Sequence, residues 1–171
     1  ALPIYKFPVG TLPIHESIGY ADFALERFFQ TARQQPWFAN TIFVLTADHT
    51  SLSEEPQFQR KIGQFRVPLV FYAPGLKLPQ PDVQQVAQHV DIMPSLLDLL
   101  GHSSTGAFPR FGRSLFRGSR DQRALLFGGH RHWFVTHDLV LEYGGDQLVF
   151  YNWQRDPKLE YPISPDTAAQ K

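Results

Sequence analysis

The segment TIFVLTADHTS, residues 41–51, decides the fold. Residues 41–46 form an apolar run that is rich in β-branched side chains, which is typical of a strand covered on both faces. The run leads directly into Asp48 and His49. In open α/β sheets, ligands gather outside the carboxyl ends of the strands. The segment therefore predicts a buried strand that presents a carboxylate and an imidazole where a site would be built.

A helix and a second strand flank this segment. In residues 17–34 the apolar positions recur every three or four residues, which is the period of one buried helix face. Residues 67–72 form a second apolar run, and the polar residues 51–66 between the two runs predict a long loop with room for one helical turn. This order favours an α/β fold, part of an α/β/α sandwich with a mainly parallel sheet.

The rest of the chain predicts a short helix and a small antiparallel meander. Residues 91–101 begin with Asp91 as a cap, carry proline in the first turn and end at Gly101. After a loop over residues 102–123, strand-like segments occupy residues 124–127, 133–136, 139–143 and 147–151. Gly144, Gly145 and Asp146 predict a hairpin turn between the last two of them.

Composition limits the function classes. A chain of 171 residues with 43% hydrophobic content can bury one core. Its 16 basic and 16 acidic residues are scattered, which does not fit a nucleic-acid groove. The absence of cysteine excludes disulfides, thiolate metal sites and a cysteine nucleophile within this chain. We find no apolar run of about 18 residues and no leader pattern, and the irregular opening from Ala1 leads us to expect a fragment.

The histidines leave several interpretations open. An aspartate oxygen beside a histidine nitrogen suits Zn²⁺ or Mn²⁺, but Asp48 before His49 is also an ordinary way to cap the start of a loop. His130 and His132 would share one face of a strand, as metal ligands or as a solvent-facing edge. For His89 we favour a partly buried residue bonded to nearby backbone. No serine lies in a Gly-x-Ser-x-Gly elbow, so no nucleophile and no catalytic residue is assigned.

The order of four segments resembles the lipoteichoic acid synthase-like, phosphoglycerol transferase branch of the sulfatase/alkaline phosphatase superfamily. The segments are residues 35–51, 67–75, 89–101 and 111–116. The resemblance implies that Asp48 and His49 are two ligands of a divalent metal, Mn²⁺ or Zn²⁺ before Mg²⁺ or Ca²⁺. It also implies a structural role for residues 91–101, where Ser95 replaces the family's usual threonine.

The same resemblance implies that this chain is the carboxy-terminal portion of a longer enzyme. The family's threonine or formylglycine nucleophile, a further acidic ligand and a substrate-binding histidine are expected before Ala1. Residues 1–123 would then be the last part of the catalytic domain, and residues 124–171 its meander and tail. The fragment by itself is expected to be inactive.

The parent protein is expected to be a metal-dependent phosphotransferase, or a sulfatase- or phosphatase-like hydrolase. The resemblance places it at the outer face of the bacterial inner membrane or in the periplasm, acting on a lipid head-group or glycan ester. Membrane contact would come only through segments outside this chain. The alternative is a non-catalytic binding or assembly module, able to self-associate, whose interface uses aromatic residues of the meander: Trp133, Phe134, Tyr143, Phe150, Tyr151 and Trp153. A meander that buries alternate aromatic residues explains this set equally well.

Overall fold

The chain folds into two compact units, residues Ala1–Leu78 and Pro79–Lys171. The computed structural model describes residues 7, 10–59, 61–80, 82, 85–102, 111–117 and 122–166. The division that the sequence predicts after residue 123 concerns the domain of the parent protein and stays a prediction.

The first unit contains the predicted helix and both predicted strands. Helix α1 spans Ile14–Ala32, strand β1 Phe43–Thr46 and strand β2 Leu69–Tyr72. The loop between the strands holds a short helix α2, Pro56–Gln59, followed by a 3-10 helix at Lys61–Phe65. A further 3-10 helix, Phe38–Asn40, precedes β1. The periodic and apolar runs of the sequence thus form the elements that they predict, with ends displaced by a few residues.

The direction of the two strands differs from the expectation. Strands β1 and β2 pair antiparallel, with Phe43 opposite Tyr72 and Thr46 opposite Leu69. The expected mainly parallel sheet is therefore not confirmed. An apolar run indicates that a strand is covered but does not fix its direction, and a long connection between two strands allows either one.

Aromatic rings hold α1 against the sheet. The Phe43 ring centroid lies 5.0 Å from that of Phe29, 5.5 Å from that of Phe38 and 5.9 Å from that of Tyr72. The Phe29 ring also meets Tyr72 at 5.7 Å. Edge-to-face and offset pairs at these distances add to the stabilisation that burial provides. The packing fixes β1, and with it the segment that follows β1.

The second unit contains the predicted meander. Four strands follow one another in an antiparallel sheet: β3 Ala124–Gly128, β4 Arg131–Val135, β5 Leu139–Gly144 and β6 Gln147–Asn152. Gly145 and Asp146 both have positive φ, 60° and 59°, in the predicted hairpin turn. The side chains alternate across the sheet, so that Trp133 and Val140 are buried on the inner face.

Asp91 has a different role from the predicted cap. Helix α3 spans Ile92–Leu99 after a 3-10 turn at His89–Asp91, and no side-chain cap bond links Asp91 to α3. The Asp91 carboxylate instead accepts the backbone N–H groups of Gln88 at 2.9 Å and of Arg113 at 2.8 Å. Burial raises the pKa of Asp91, against the lowering effect of these bonds and of the Arg113 charge.

The loop that follows α3 combines aromatic and basic residues, a pattern that favours phenylalanines packed on the core. Phe111 does not follow it, because its side chain is exposed. Phe108 lies outside the described residues. The apolar anchor is Leu115, which is buried and whose N–H donates to the Ser95 hydroxyl at 3.0 Å.

Candidate metal site

Asp48 and His49 lie just beyond the end of β1, as the sequence predicts. Both are on a bend between β1 and the long loop. Their side chains are well exposed, at 87% for Asp48 and 80% for His49. An approaching ion or substrate can therefore reach both.

Hydrogen bonds orient the pair. The His49 backbone N–H donates to Asp48 Oδ1 at 2.9 Å, which leaves Oδ2 as the outer carboxylate oxygen. His49 Nδ1 lies 2.7 Å from the carbonyl oxygen of Thr50. The Thr50 hydroxyl in turn donates to the carbonyl oxygen of Gln64, which ties the bend to the 3-10 helix.

The contact with Thr50 selects the tautomer of His49. A carbonyl oxygen only accepts, so Nδ1 carries the hydrogen, and in the neutral imidazole the lone pair is on Nε2. A ring held in this way by its other nitrogen is the usual arrangement for a metal-binding histidine.

The two remaining donor atoms stand at a separation suited to one ion. His49 Nε2 lies 3.6 Å from Asp48 Oδ2. Two ligands bound to zinc at tetrahedral angles, with bonds of about 2.0–2.2 Å, lie about 3.4 Å apart. Both atoms carry lone pairs when the imidazole is neutral, so a shared cation would replace repulsion with attraction. The residues present thus fit a divalent metal.

The pair alone is an incomplete site. In the part of the chain that the structure describes, no three His, Cys, Asp or Glu side chains are grouped as a metal site would need. A tight zinc site takes at least three protein ligands. Asp48 and His49 as metal ligands stay a prediction at this point.

His130 and His132 do not form the strand pair that the sequence suggested. His130 lies in the turn before β4 with a φ of 61°, while His132 lies on β4, so they are not two positions of one strand. The His132 ring instead lies 4.8 Å from that of Phe127 and 6.5 Å from that of Tyr143. His89 begins the short 3-10 turn before α3 and is exposed, so the expectation that it is partly buried is wrong.

A groove that sequence reasoning missed opens in the first unit. It has a volume of about 570 Å³, an apolar floor that includes Leu45 and Val70, and a polar rim from α1 that includes Glu26 and Arg33. Val70 remains 50% exposed there. The periodicity of α1 indicated an apolar face but not that part of the opposing strand would stay uncovered. Asp48 and His49 are not among the lining residues.

Comparisons with known proteins give one consistent family. The sequence model of the family named Sulfatase matches residues 14–102. The lipoteichoic acid synthase-like protein YvgJ of Bacillus subtilis is 29% identical over 138 residues, covering 72% of this chain and 22% of that protein. The inner membrane protein YejM of Salmonella typhimurium is 32% identical over 88 residues, covering 50% of this chain and 15% of that protein.

A solved structure shares the fold over nearly the whole chain. A protein of the alkaline phosphatase superfamily from Vibrio parahaemolyticus superimposes with a TM-score of 0.73 and 22% identity, over 97% of this chain and 42% of that one. The chain spans about a fifth of the length of the curated relatives that it matches. None of the helices in the described residues is long and apolar enough to cross a bilayer.

Proposed function

Because this chain belongs to the sulfatase family, in the lipoteichoic acid synthase-like branch of the alkaline phosphatase superfamily, we propose that it is the carboxy-terminal portion of a metal-dependent phospho- or sulfo-ester transferase or hydrolase. In this proposal Asp48 and His49 are two ligands of a divalent cation. The observation that best supports this metal site is the distance of 3.6 Å between Asp48 Oδ2 and His49 Nε2, just beyond the end of β1.

The residues of the pair have separate tasks in this proposal. Asp48 supplies negative charge, which selects a cation, and His49 supplies a neutral nitrogen donor whose ring the Thr50 carbonyl orients. A bound divalent cation would activate a hydroxyl nucleophile and offset the charge that develops on the transferred group. We assign Mn²⁺ or Zn²⁺ first, with Mg²⁺ or Ca²⁺ as alternatives.

The rest of the reaction machinery is proposed to lie in another part of the protein. The nucleophile, a further acidic ligand and a substrate-binding histidine would complete the two-ligand site. Without them the chain would bind metal weakly and would be inactive.

For the substrate we propose a lipid head-group or glycan ester, handled at the outer face of the bacterial inner membrane or in the periplasm. The lipoteichoic acid synthase-like relative and the inner membrane relative support this setting by their names. A phosphotransferase is preferred to a sulfatase, because residues 37–41 resemble the transferase branch.

A binding or assembly module is the second candidate, and one observation favours it. The outer face of the meander exposes apolar side chains, among them Leu125, Phe127 and Tyr143. An interface role for Trp133 and Tyr151 is wrong, because both are buried on the inner face, as alternate burial of the aromatic residues predicts.

Calorimetric titration with Zn²⁺ and with Mn²⁺ tests the metal proposal. We expect weak binding to this chain and its loss in the Asp48→Ala/His49→Ala variant. The matched control is His137→Ala/Asp138→Ala, since this pair also places a histidine nitrogen beside a carboxylate oxygen, at 2.9 Å, and is also solvent-accessible. The control should retain the binding of the unaltered chain.

The parent protein gives the second half of the test. We expect it to bind the metal tightly and to lose both binding and ester turnover in the same Asp48 and His49 double variant. Binding that is equal in all variants would contradict the proposal, and the assembly module would then be the better account.

A further inference from the structure

The two edges of the meander differ in the partners of their backbone groups. At the β6 edge, the Ile163 backbone N–H donates to the Phe150 carbonyl oxygen at 2.8 Å and forms a β-bridge. At the other edge, β3 pairs with β4 alone among the described residues. Strand β3 also lacks charged residues and proline, which are the usual means of protecting an edge.

The turn between β3 and β4 shows which backbone groups face this edge. Gly129 and His130 have φ values of 56° and 61°, as a two-residue type I′ turn requires, so the flanking pair Gly128 and Arg131 is hydrogen-bonded. Hydrogen-bonded and non-hydrogen-bonded pairs alternate along an antiparallel ladder. The N–H and C=O groups of Leu125 and Phe127 therefore point away from β4, toward the open edge.

The side chains of the same two residues are exposed as well. Leu125 is 67% exposed and Phe127 is 63% exposed, both on the outer face of the sheet. One neighbouring backbone group is already used, because the Gln88 side-chain amide donates to the Arg123 carbonyl oxygen at 3.0 Å. Among the described residues, the part of the edge without a backbone partner is thus centred on Leu126.

We propose that a second copy of this chain occupies the edge, with β3 antiparallel to β3 about a two-fold axis at Leu126. Leu125 of one copy then lies opposite Phe127 of the other, and their backbone groups form the ladder. The same register brings the two exposed side chains into cross-strand contact, which stabilises antiparallel pairs. A two-fold contact of this kind is self-complementary and closes at a dimer.

Charge is compatible with this register. With Leu126 on the axis, the ladder runs through residues 124–128, which carry no charge, and Arg123 of each copy lies beyond it, near the β3–β4 turn of the other. No like charges therefore lie directly opposite one another, an arrangement that would destabilise a sheet. The contact is small, so we expect a weak dimer that dissociates on dilution.

Cysteine cross-linking tests the register, because the chain has no cysteine of its own. At Leu126 the two Cα atoms would form a non-hydrogen-bonded pair about 4.5 Å apart, within the range of about 4.4–6.8 Å that a disulfide spans. Under mild oxidation, Leu126→Cys should form a covalent dimer. The control Leu148→Cys lies on β6 and is 53% exposed, so random collision would link it at least as well.

Light scattering over a concentration series tests the edge without a cross-link. We expect the unaltered chain to dimerise, Phe127→Lys to weaken the dimer at least tenfold, and Leu148→Lys to leave it unchanged. Far-UV circular dichroism confirms that both variants fold. A monomer at every concentration, equal weakening by both lysines, a dimer that survives Phe127→Lys, or equal cross-linking at positions 126 and 148 would each overturn the proposal.

Discussion

The two units bury their apolar residues to different degrees. Among the described residues, the first unit contributes Ala32 to the set of buried apolar side chains. The second unit contributes the rest of that set: Leu115, Ala124, Trp133, Val135, Val140, Tyr151 and Leu159. The first unit is held by contacts between partly buried rings, whereas the second has a buried core of its own.

The polar residues follow the same division. In the second unit, Glu142 is buried and accepts hydrogen bonds from the Trp133 indole, at 3.1 Å, and from the Arg131 guanidinium. In the first unit, Asp48 and His49 direct their outer atoms to solvent. The comparison indicates that the second unit uses buried polar groups to fix structure, while the first leaves the pair that we propose as metal ligands exposed to solvent.

Truncating one aromatic residue in each unit gives the largest expected effect. Trp133→Ala should lower the free energy of unfolding by about 3–5 kcal/mol, because it leaves a cavity in the core and removes a partner of buried Glu142. Phe43→Ala should cost about 2 kcal/mol, because its ring is only partly buried. Urea unfolding followed by circular dichroism measures both. Equal costs would remove the proposed difference between the units.

Asp91→Asn should have the next largest effect, about 1–3 kcal/mol of destabilisation at pH 7, because an amide offers one acceptor oxygen to the two N–H groups of Gln88 and Arg113. The pKa of Asp91 is raised in the folded chain, so ionisation of this carboxyl destabilises the folded state at pH values above the folded pKa. This penalty disappears as the pH falls toward 3.8, the ordinary pKa of an aspartate. The gap between the unaltered chain and the variant should therefore widen on acidification. Asp22→Asn, at an exposed position on α1, is the control and should change the free energy of unfolding at pH 7 by less than about 0.5 kcal/mol.

Asp98→Asn should have a smaller effect on the free energy of unfolding, and this effect should shrink on acidification instead of growing. The hydrogen bond from Arg117, then that from Ser114, lowers the pKa of Asp98 below its ordinary value of 3.8. Such a carboxylate stabilises the folded state above pH 3.8, and the contribution is lost as pH falls through the folded pKa. Because Arg117 is largely exposed, we expect about 0.5–1 kcal/mol at neutral pH, vanishing in strong acid. A gap that persists in strong acid would contradict this assignment.

The elements of the fold were predictable because their signals are local. The period of α1, the apolar run of β1 and the turn at Gly145 each depend on neighbouring residues, and the structure contains all of them. Two features depend on distant partners and were missed. The antiparallel pairing of β1 with β2 is one, and the bond that joins Asp91 to Arg113 across the chain is the other.

The location of the candidate pair was predictable to the same extent. The end of an apolar strand located Asp48 and His49, and their role as metal ligands, which the family resemblance implies, stays a prediction. The carbonyl of Thr50 that selects the His49 tautomer and the bond from Thr50 to Gln64 came only from the folded loop. No sequence period records such contacts, because they depend on how an irregular segment turns back on itself.

The smallest expected effect tests whether the pair is kept for a ligand. Asp48→Ala and His49→Ala should each change the free energy of unfolding by less than about 0.5 kcal/mol, because both side chains are well exposed and bond mainly to their own bend. Thr50→Val is the informative neighbour: it removes the bond to Gln64 and should cost more than either substitution. Urea unfolding of the metal-free chain measures all three. A cost above 1 kcal/mol for Asp48→Ala would make the pair part of the scaffold, and the contrast between a ligand-presenting first unit and a self-supporting second unit would fail.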